Sequence, residues 1–521
     1  MLVEIKMIEK KPRRLTLPLH TKPSEPIEIS GEEKRLGQYS PLSTILILSF
    51  GPFLSQTVQA LYGIVNLFWV SKSIGDKGIE VFGAIYVVDF ITLGFANYLM
   101  TAVDIRVSYL FGEKSKIDEC SQIFIDFIRF SFILAIFMPL IILPITRPLI
   151  EWFGSDKEIS LLCLQYMYPN AFGAFFTFLY MSACGLIQSE GRSFVFGIAQ
   201  VVSLFLNMGV FCPLFLLYFK FGIWGASLAT IISQALVTIV LVVQIFMGKY
   251  TIKPKFNMFC RKFSHESWVS LKIGFASLVS NFTVSLPEIL LQKFLNMAAT
   301  AVGEYDTVIK VWGVIEKLYQ FVGGANDAFS IGFLPAASYA FGAHRYNRLL
   351  RLFLHTNWVT ILISVVYSFF MIFFPSQIAS IWSKDPLFLE KCKSMIPKVF
   401  YVTALFPIQY TVPSYLQAMQ KVAQSSIVAG VTSMLPIPLF SCILYYTGKK
   451  NPDRIMWTYA LSDIFASVLC FLFCIPSVSK LFKEPKDETM LIPDETFASI
   501  RSIKSENCCS TPLLEDDEYK E

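Results

Sequence analysis

Along this chain apolar residues come in long unbroken runs, and charged residues gather between them. From Thr44 to Val70 no charge intervenes. Comparable runs occupy 121–146 (broken by Asp126 and Arg129), 194–218, 223–247, 356–374, 399–417, 422–446 and 456–476 (broken by Asp463). A membrane-crossing helix needs about 20 mostly apolar residues. Barrel strands would alternate with a period of two over about ten residues. These runs are continuously apolar, and lipid offers the backbone no hydrogen-bond partner, so the pattern predicts helices. Twelve spans result, near 43–70, 78–105, 121–147, 159–187, 193–218, 222–247, 267–296, 303–333, 351–375, 388–418, 422–447 and 455–478. The second, seventh and eighth are the most polar.

Composition agrees. Hydrophobic residues make up 54% of the 521, with 49 Phe, and only 16% are charged. A soluble chain would carry about a quarter charged residues. Basic residues then orient the spans, because positive charge accumulates in cytosolic loops. They crowd the N-terminal arm (Lys6, Lys10, Lys11, Arg13, Arg14), the loop after span six (Lys249, Lys253, Lys255, Arg261, Lys262), the loop after span eight and the C-terminal tail. Both termini are therefore expected on the cytosolic side, in the plasma membrane or an internal one. No cleavable leader is expected, since the first apolar run lies behind a long charged arm. The arm (1–42) and tail (479–521) read as disordered. Cysteine spacing suggests no metal site, and Cys508 and Cys509 read as ordinary thiols.

One phrase is written twice. SYLFG begins at Ser108 and SYAFG at Ser338, 230 residues later. Gly94 and Gly324 share that offset, as do Asn97 and Asp327. LIQSEGRS (from Leu186) and LQAMQKV (from Leu416) follow spans four and ten. Matches in register argue for duplication of a six-span unit. Six is even, so the halves should be parallel repeats about an axis along the membrane normal. The predicted organisation is an N-lobe (43–247), a linker (248–266) and a C-lobe (267–478).

GFLPAASYAFGAHRYNR (from Gly332), SEGRSFVFGIAQVVSLFLNMGVFCPLFLL (from Ser189), FGIWGASLATIISQ (from Phe221) and SLPEILLQ (from Ser285) resemble, in order, signatures of the eighth, fifth, sixth and seventh spans of multidrug and toxic compound extrusion (MATE) transporters. The resemblance covers roughly 40–480. It implies an all-α membrane protein of two six-helix lobes around a V-shaped cavity. It also implies export of organic cations in exchange for H⁺ or Na⁺, with no other cofactor.

Intramembrane acids are candidate sites by default, since each costs about 2.5–3.5 kcal/mol to insert. They are Asp89, Asp104, Glu288, Asp306, Glu316, Asp327 and Asp463. Glu288, behind Pro287, is the sharpest candidate for carrying a proton or Na⁺; the plain alternative is a pair with Lys293. Asp327 follows, loosened by Gly323 and Gly324. Asp306 suits a local pair with Lys310, and Asp104 a solvated pair with Arg106. Asp89 and Asp463 rank below Asp327.

Departures from the family matter too. Asn66 stands where many members have a first-span Asp. Asn207 is followed four residues on by Phe211, where many prokaryotic members have another Asp. Span ten lacks a carboxyl. The implied N-lobe cation site is thus reduced to Asn207 and Thr230, and coupling is expected in the C-lobe. Tyr62, Phe68, Trp69, Trp312, Tyr319, Tyr410 and Tyr415 are available for cation–π contact, although such residues more often simply pack or face lipid. A small organic cation and the bilayer are the expected partners, with no nucleic acid and a monomeric state. Two alternatives stay open: a lipid-linked oligosaccharide or polysaccharide flippase, for which Lys293, Lys310 and Lys317 would serve, and a non-transporting paralogue. No Walker loop supports an ATP-driven pump, and no nucleophile–base arrangement supports an enzyme.

Overall fold

The computed structural model describes residues 31–74, 76–114, 117–152, 157–448 and 451–482. The two tails expected to be disordered lie largely outside them. Twelve helices cross the bundle: α1 (Pro41–Ile74), α2 (Asp76–Glu113), α3 (Ile117–Trp152), α4 (Lys157–Ser189), α5 (Ser193–Tyr218), α6 (Ile223–Phe246), α7 (His265–Val302), α8 (Tyr305–Gly342), α9 (Tyr346–Phe373), α10 (Pro386–Phe400 and Ile408–Ala418), α11 (Val422–Thr447) and α12 (Trp457–Phe482). Among the described residues, eight are long and apolar enough to cross a membrane by length and composition alone, and none of these eight is α2, α7, α8 or α10. Those four include the three spans read as most polar; α2, α7 and α8 meet the opposite half, and α10 donates to the buried Asp463 of its own half.

Proline and local chemistry set where the helices bend. In α10 an interruption between Phe400 and Ile408, with a 3₁₀ turn at Thr403–Leu405, precedes Pro407. Ser467 on α12 donates to the freed carbonyl of Leu405 at 3.1 Å. Irregular backbone at membrane depth survives only with such internal partners. In α5 the second half widens into π-helix at Leu206–Phe211 and Leu214–Tyr218, around Pro213. Pro436 divides α11. Ser264 caps α7, its hydroxyl accepting from the Ser267 amide at 3.1 Å.

The packing repeats. In one half α1 lies on α5, α2 on α4, and α4 on α6; in the other α7 lies on α11, α8 on α10, and α10 on α12. Between halves, α1 runs along α8 and α7 along α2, and α2 meets α8 on the axis. The duplicated phrase sits at that axis. A Cβ on Gly342 would stand 2.2 Å from the Tyr109 carbonyl oxygen, and one on Gly112 would stand 2.2 Å from that of Tyr339. Each copy of the phrase supplies the glycine that admits the other's tyrosine backbone, the reciprocity a two-fold axis demands. Gly332 against Ser49 and Gly274 against Ala102 extend the close approach. In lipid, such small-residue contact is what lets helices associate.

These contacts gather at the end of the bundle that carries the segment before α1 and the linker before α7, here the arm end. Arg106 on α2 donates through Nε to Glu266 at 2.7 Å and through Nη1 to Gln420 at 3.0 Å. The solvated Asp104–Arg106 pair expected from sequence does not form: Asp104 is buried, with Ser108 as its partner, and Arg106 turns to the C-lobe. Nor is the arm disordered as far as residue 42. Residues 31–40 lie across both lobes, with Leu36 fully buried. Arg348 donates to the carbonyls of Tyr39 (2.8 Å) and Leu36 (2.9 Å), and Arg345 to that of Gly37 (3.1 Å). On the N-lobe side Arg35 donates to the Glu190 carbonyl at 2.8 Å, and Thr251 to Glu32 at 3.0 Å. Burial pushes the Glu190 carboxyl above its ordinary range, although it accepts from the Thr251 and Ile252 amides.

Candidate functional site

Beyond the arm end, three pairs join the two sets of six helices. Gln56 on α1 donates to Asp327 on α8 at 2.9 Å. Asn97 on α2 donates to Asn281 on α7 at 3.2 Å, with Phe95 against Phe282 beside it. Asn97 and Asp327 are the positions 230 apart noted in the sequence, so the two polar pairs are counterparts across the axis. They form a polar level in the interface between the lobes, beyond the close contacts of the arm end. Asp327 is thus half-buried at the junction of the lobes.

Within the C-lobe, Asp463 and its partners form the densest polar cluster. Asp463 on α12 is 1% exposed. Its Oδ1 accepts from Tyr319 on α8 (3.1 Å) and from Gln409 on α10 (2.9 Å). Its Oδ2 is buried with no hydrogen-bond partner. The interruption of α10 brings Gln409 and Tyr410 to this cluster. Tyr319 packs on Tyr459 and Phe406 with ring centroids 4.5 and 4.8 Å apart, and Phe406 on Tyr410 at 5.2 Å. Tyr410 feels the charges of Asp327, Asp463 and Glu288 together, and Gly323 leaves room for its hydroxyl. A bare carboxylate oxygen in so dry a place is costly unless a proton or cation joins it. Aromatic faces beside it suit a flat organic cation.

Glu288 is half-buried on α7, within electrostatic reach of Glu316 and Lys317. Lys293 is exposed, and no ion pair with it forms among the described residues. Glu316 accepts from Gln320 at 2.8 Å. In the N-lobe, Asn207 and Thr230 do come together: Asn207 donates to Thr230 at 2.9 Å and accepts from the Cys212 thiol at 2.9 Å. The π-helical turn of α5 carries this Asn, a backbone irregularity common at functional positions. Asp89, ranked low from sequence, is half-buried and hydrogen-bonded by Asn170 on α4, so the N-lobe also keeps a carboxylate with a partner. Asn66 falls in α1, but its side chain lies outside the described residues, as do those of Tyr62, Phe68 and Asp306. Sequence reasoning underrated Asp463. The available signal was a lone acid interrupting a run otherwise fit to span, but its partners sit on α8 and α10, 144 and 54 residues away.

A model of the MatE family matches residues 53–214 and 306–440. The probable multidrug resistance protein YoeA of Bacillus subtilis (strain 168) is 22% identical over 336 residues, 63% of this chain and 71% of that protein. Among solved structures, an outward-facing multidrug resistance MATE family transporter of the MOP superfamily superimposes with a TM-score of 0.78 at 19% identity, covering 87% of this chain and 99% of that one. A MOP superfamily transporter from Pyrococcus furiosus Vc1 (DSM3638), described as having a binding pocket of reverse polarity, gives 0.77 at 18% identity with the same coverage. These likenesses extend the two-lobe, twelve-helix fold over the whole bundle.

Proposed function

Because the chain belongs to the MatE family of membrane transporters, we propose that it is a secondary antiporter that exports organic cations in exchange for H⁺ or Na⁺ by alternating access. The observation that carries this reading is the bare oxygen of buried Asp463, set among Tyr319, Gln409 and Tyr410, with Asp327 at the lobe junction and Glu288 on the facing helix. A proton or Na⁺ entering a cleft between the lobes neutralises these carboxylates. An organic cation arriving from the opposite side competes for the same charge, so the two are not carried together. Occupancy changes the electrostatic cost of closing the lobes, which is the differential that any coupled movement needs. One inward charge across 100 mV supplies about 2.3 kcal/mol.

In this reading 43–247 and 267–478 are the moving lobes and 248–266 joins them. The arm end faces the cytosol, the cleft opens outward, and a single copy of the chain in the plasma or an internal membrane suffices. Asn207, Thr230 and Asn66 belong to an N-lobe remnant that orients substrate or water without carrying a proton, since an amide does not ionise at neutral pH. The C-lobe cluster offers more acid than base, with Lys317 lying against Glu316 and Glu288, and that balance suits a cation better than a lipid-linked phosphate.

The test is gradient-driven efflux of an organic cation from proteoliposomes. Wild type should respond to a pH or Na⁺ gradient, whereas Asp463→Asn and Glu288→Gln should lose coupled flux by about tenfold or more. Coupled flux unchanged in both variants would remove this site from the mechanism. Transport of a lipid-linked sugar with no cation flux would turn the assignment to a flippase.

A further inference from the structure

The linker between α6 and α7 does more than join the lobes. Between Gly248 and Ser264 it carries Lys249, Lys253, Lys255, Arg261 and Lys262, all exposed, and no acid. Its 3₁₀ turn, Phe256–Cys260, points Phe256 (75% exposed) and Phe259 outward. Behind those rings is a cavity of about 430 Å³ formed with α3, α4 and α6. Ile128, Leu179, Val243, Phe246, Phe256 and Phe259 line it, and no polar side chain contributes.

The backbone of this segment is fixed. Arg129 on α3 donates to the carbonyls of Met258 (2.8 Å), Phe259 and Arg261 (3.0 Å), and its guanidinium lies 5.8 Å from the Phe259 ring centre. Asp126 accepts from the Ser264 amide and the Ser267 hydroxyl, both at 2.8 Å. The basic side chains therefore project from a pinned turn and not from a loose loop. Trp268, half-exposed and 5.0 Å from Phe263, stands at the foot of α7. Aromatic side chains in such a position mark the level of the headgroups.

We propose that this is a binding site for one anionic glycerophospholipid of the bilayer, with an acyl chain in the apolar cavity and the headgroup phosphate on the linker's lysines and arginines. The charge identifies the occupant: five exposed cations on a linker that carries no acid of its own, beside an apolar slot, discriminate between an anionic and a zwitterionic lipid of the same chain length. The apolar lining identifies which part of it enters. Since the same turn is tied to α3 of the N-lobe and leads into α7 of the C-lobe, the lipid would sit on the hinge between the moving parts.

The full chain, in nanodiscs of equal phosphatidylserine and phosphatidylcholine, is released and examined by native mass spectrometry for retained lipid. Wild type should keep one phosphatidylserine in about tenfold preference to phosphatidylcholine. The surface variant Lys253→Glu/Lys255→Glu should lose the preference. Val243→Trp, which fills the slot and leaves every charge in place, should lose retention of both lipids. Thermal unfolding checks that each variant is folded. Equal retention of the two lipids by wild type, or undiminished preference in the charge variant, would overturn the proposal. So would full retention after the slot is filled, or displacement of the lipid by soluble glycerophosphoserine, because either would leave only a headgroup site.

Discussion

Substituting Ala for Gly342 inserts a methyl where the duplicated phrase crosses the axis. The added Cβ would stand 2.2 Å from the Tyr109 carbonyl oxygen and 3.0 Å from its carbon. Both are backbone atoms of a packed helix, and neither can rotate away. α2 and α8 must separate, and inserting a methylene into well-packed surroundings costs about 1–3 kcal/mol. In the alternating access proposed above, α2 and α8 part at the arm end in the opposite state, so the cost would fall on the far-end-open form alone. At 1.4 kcal/mol per tenfold, the ratio of the two forms should move about 5- to 150-fold toward the arm-end-open one. Gly112→Ala should do the same, because its Cβ meets the Tyr339 carbonyl at the same distance.

Pulsed electron resonance between spin labels at Lys220, in the turn after α5, and Val302, the last residue of α7, at the far ends of the two lobes, reads the shift; Cys260, Cys508 and Cys509 are first replaced by Ser. A shorter far-end distance should become dominant in both variants. Gly209→Ala is the control, since its Cβ would make only ordinary contacts, at 3.5 Å and beyond, with Phe205 of its own helix. If Gly342→Ala is folded and shows the wild-type distance distribution, the axis contact does not hold the far-end-open state, and the two-lobe mechanism argued from it fails.

Other perturbations act at the arm end and in the N-lobe. Arg348→Ala removes charged hydrogen bonds to the carbonyls of Leu36 and Tyr39, each worth about 1.5–3 kcal/mol before compensation by water. Hydrogen exchange at residues 36–39 should accelerate by about tenfold or more, while the α7 core stays protected. Glu190 holds its proton more readily folded than unfolded, its pKa being raised from 4.5 by burial. Its ionisation therefore subtracts stability as pH rises from 4.5 through the raised value. Thermal unfolding across that window should show the decline in wild type and a flatter profile in Glu190→Gln. Asn170→Leu strips Asp89 of its hydrogen-bond donor and should lower unfolding stability by about 1–3 kcal/mol, whereas Asp89→Asn with Asn170 intact should lose less.

The sequence alone determined the class and the count. Runs without charge admit only helices in lipid, because a backbone without water must satisfy itself within each segment. The 230-residue register named the two-fold before any coordinate. It also singled out Asn97 and Asp327, each of which makes a polar pair with the opposite lobe. These were legible because hydropathy and repetition are written locally. The tertiary structure alone decided which acids have company. Sequence ranked Glu288 above Asp463, but the broken α10 and α8 bring Gln409 and Tyr319 to Asp463 and leave one of its oxygens bare. Likewise Arg106 passes over its neighbour Asp104 for Glu266, and the charged segment before α1 becomes ordered because Arg345 and Arg348, more than 300 residues on, hold its carbonyls. Partnership in a membrane bundle is set by which helix faces meet, and separation along the chain carries no record of that.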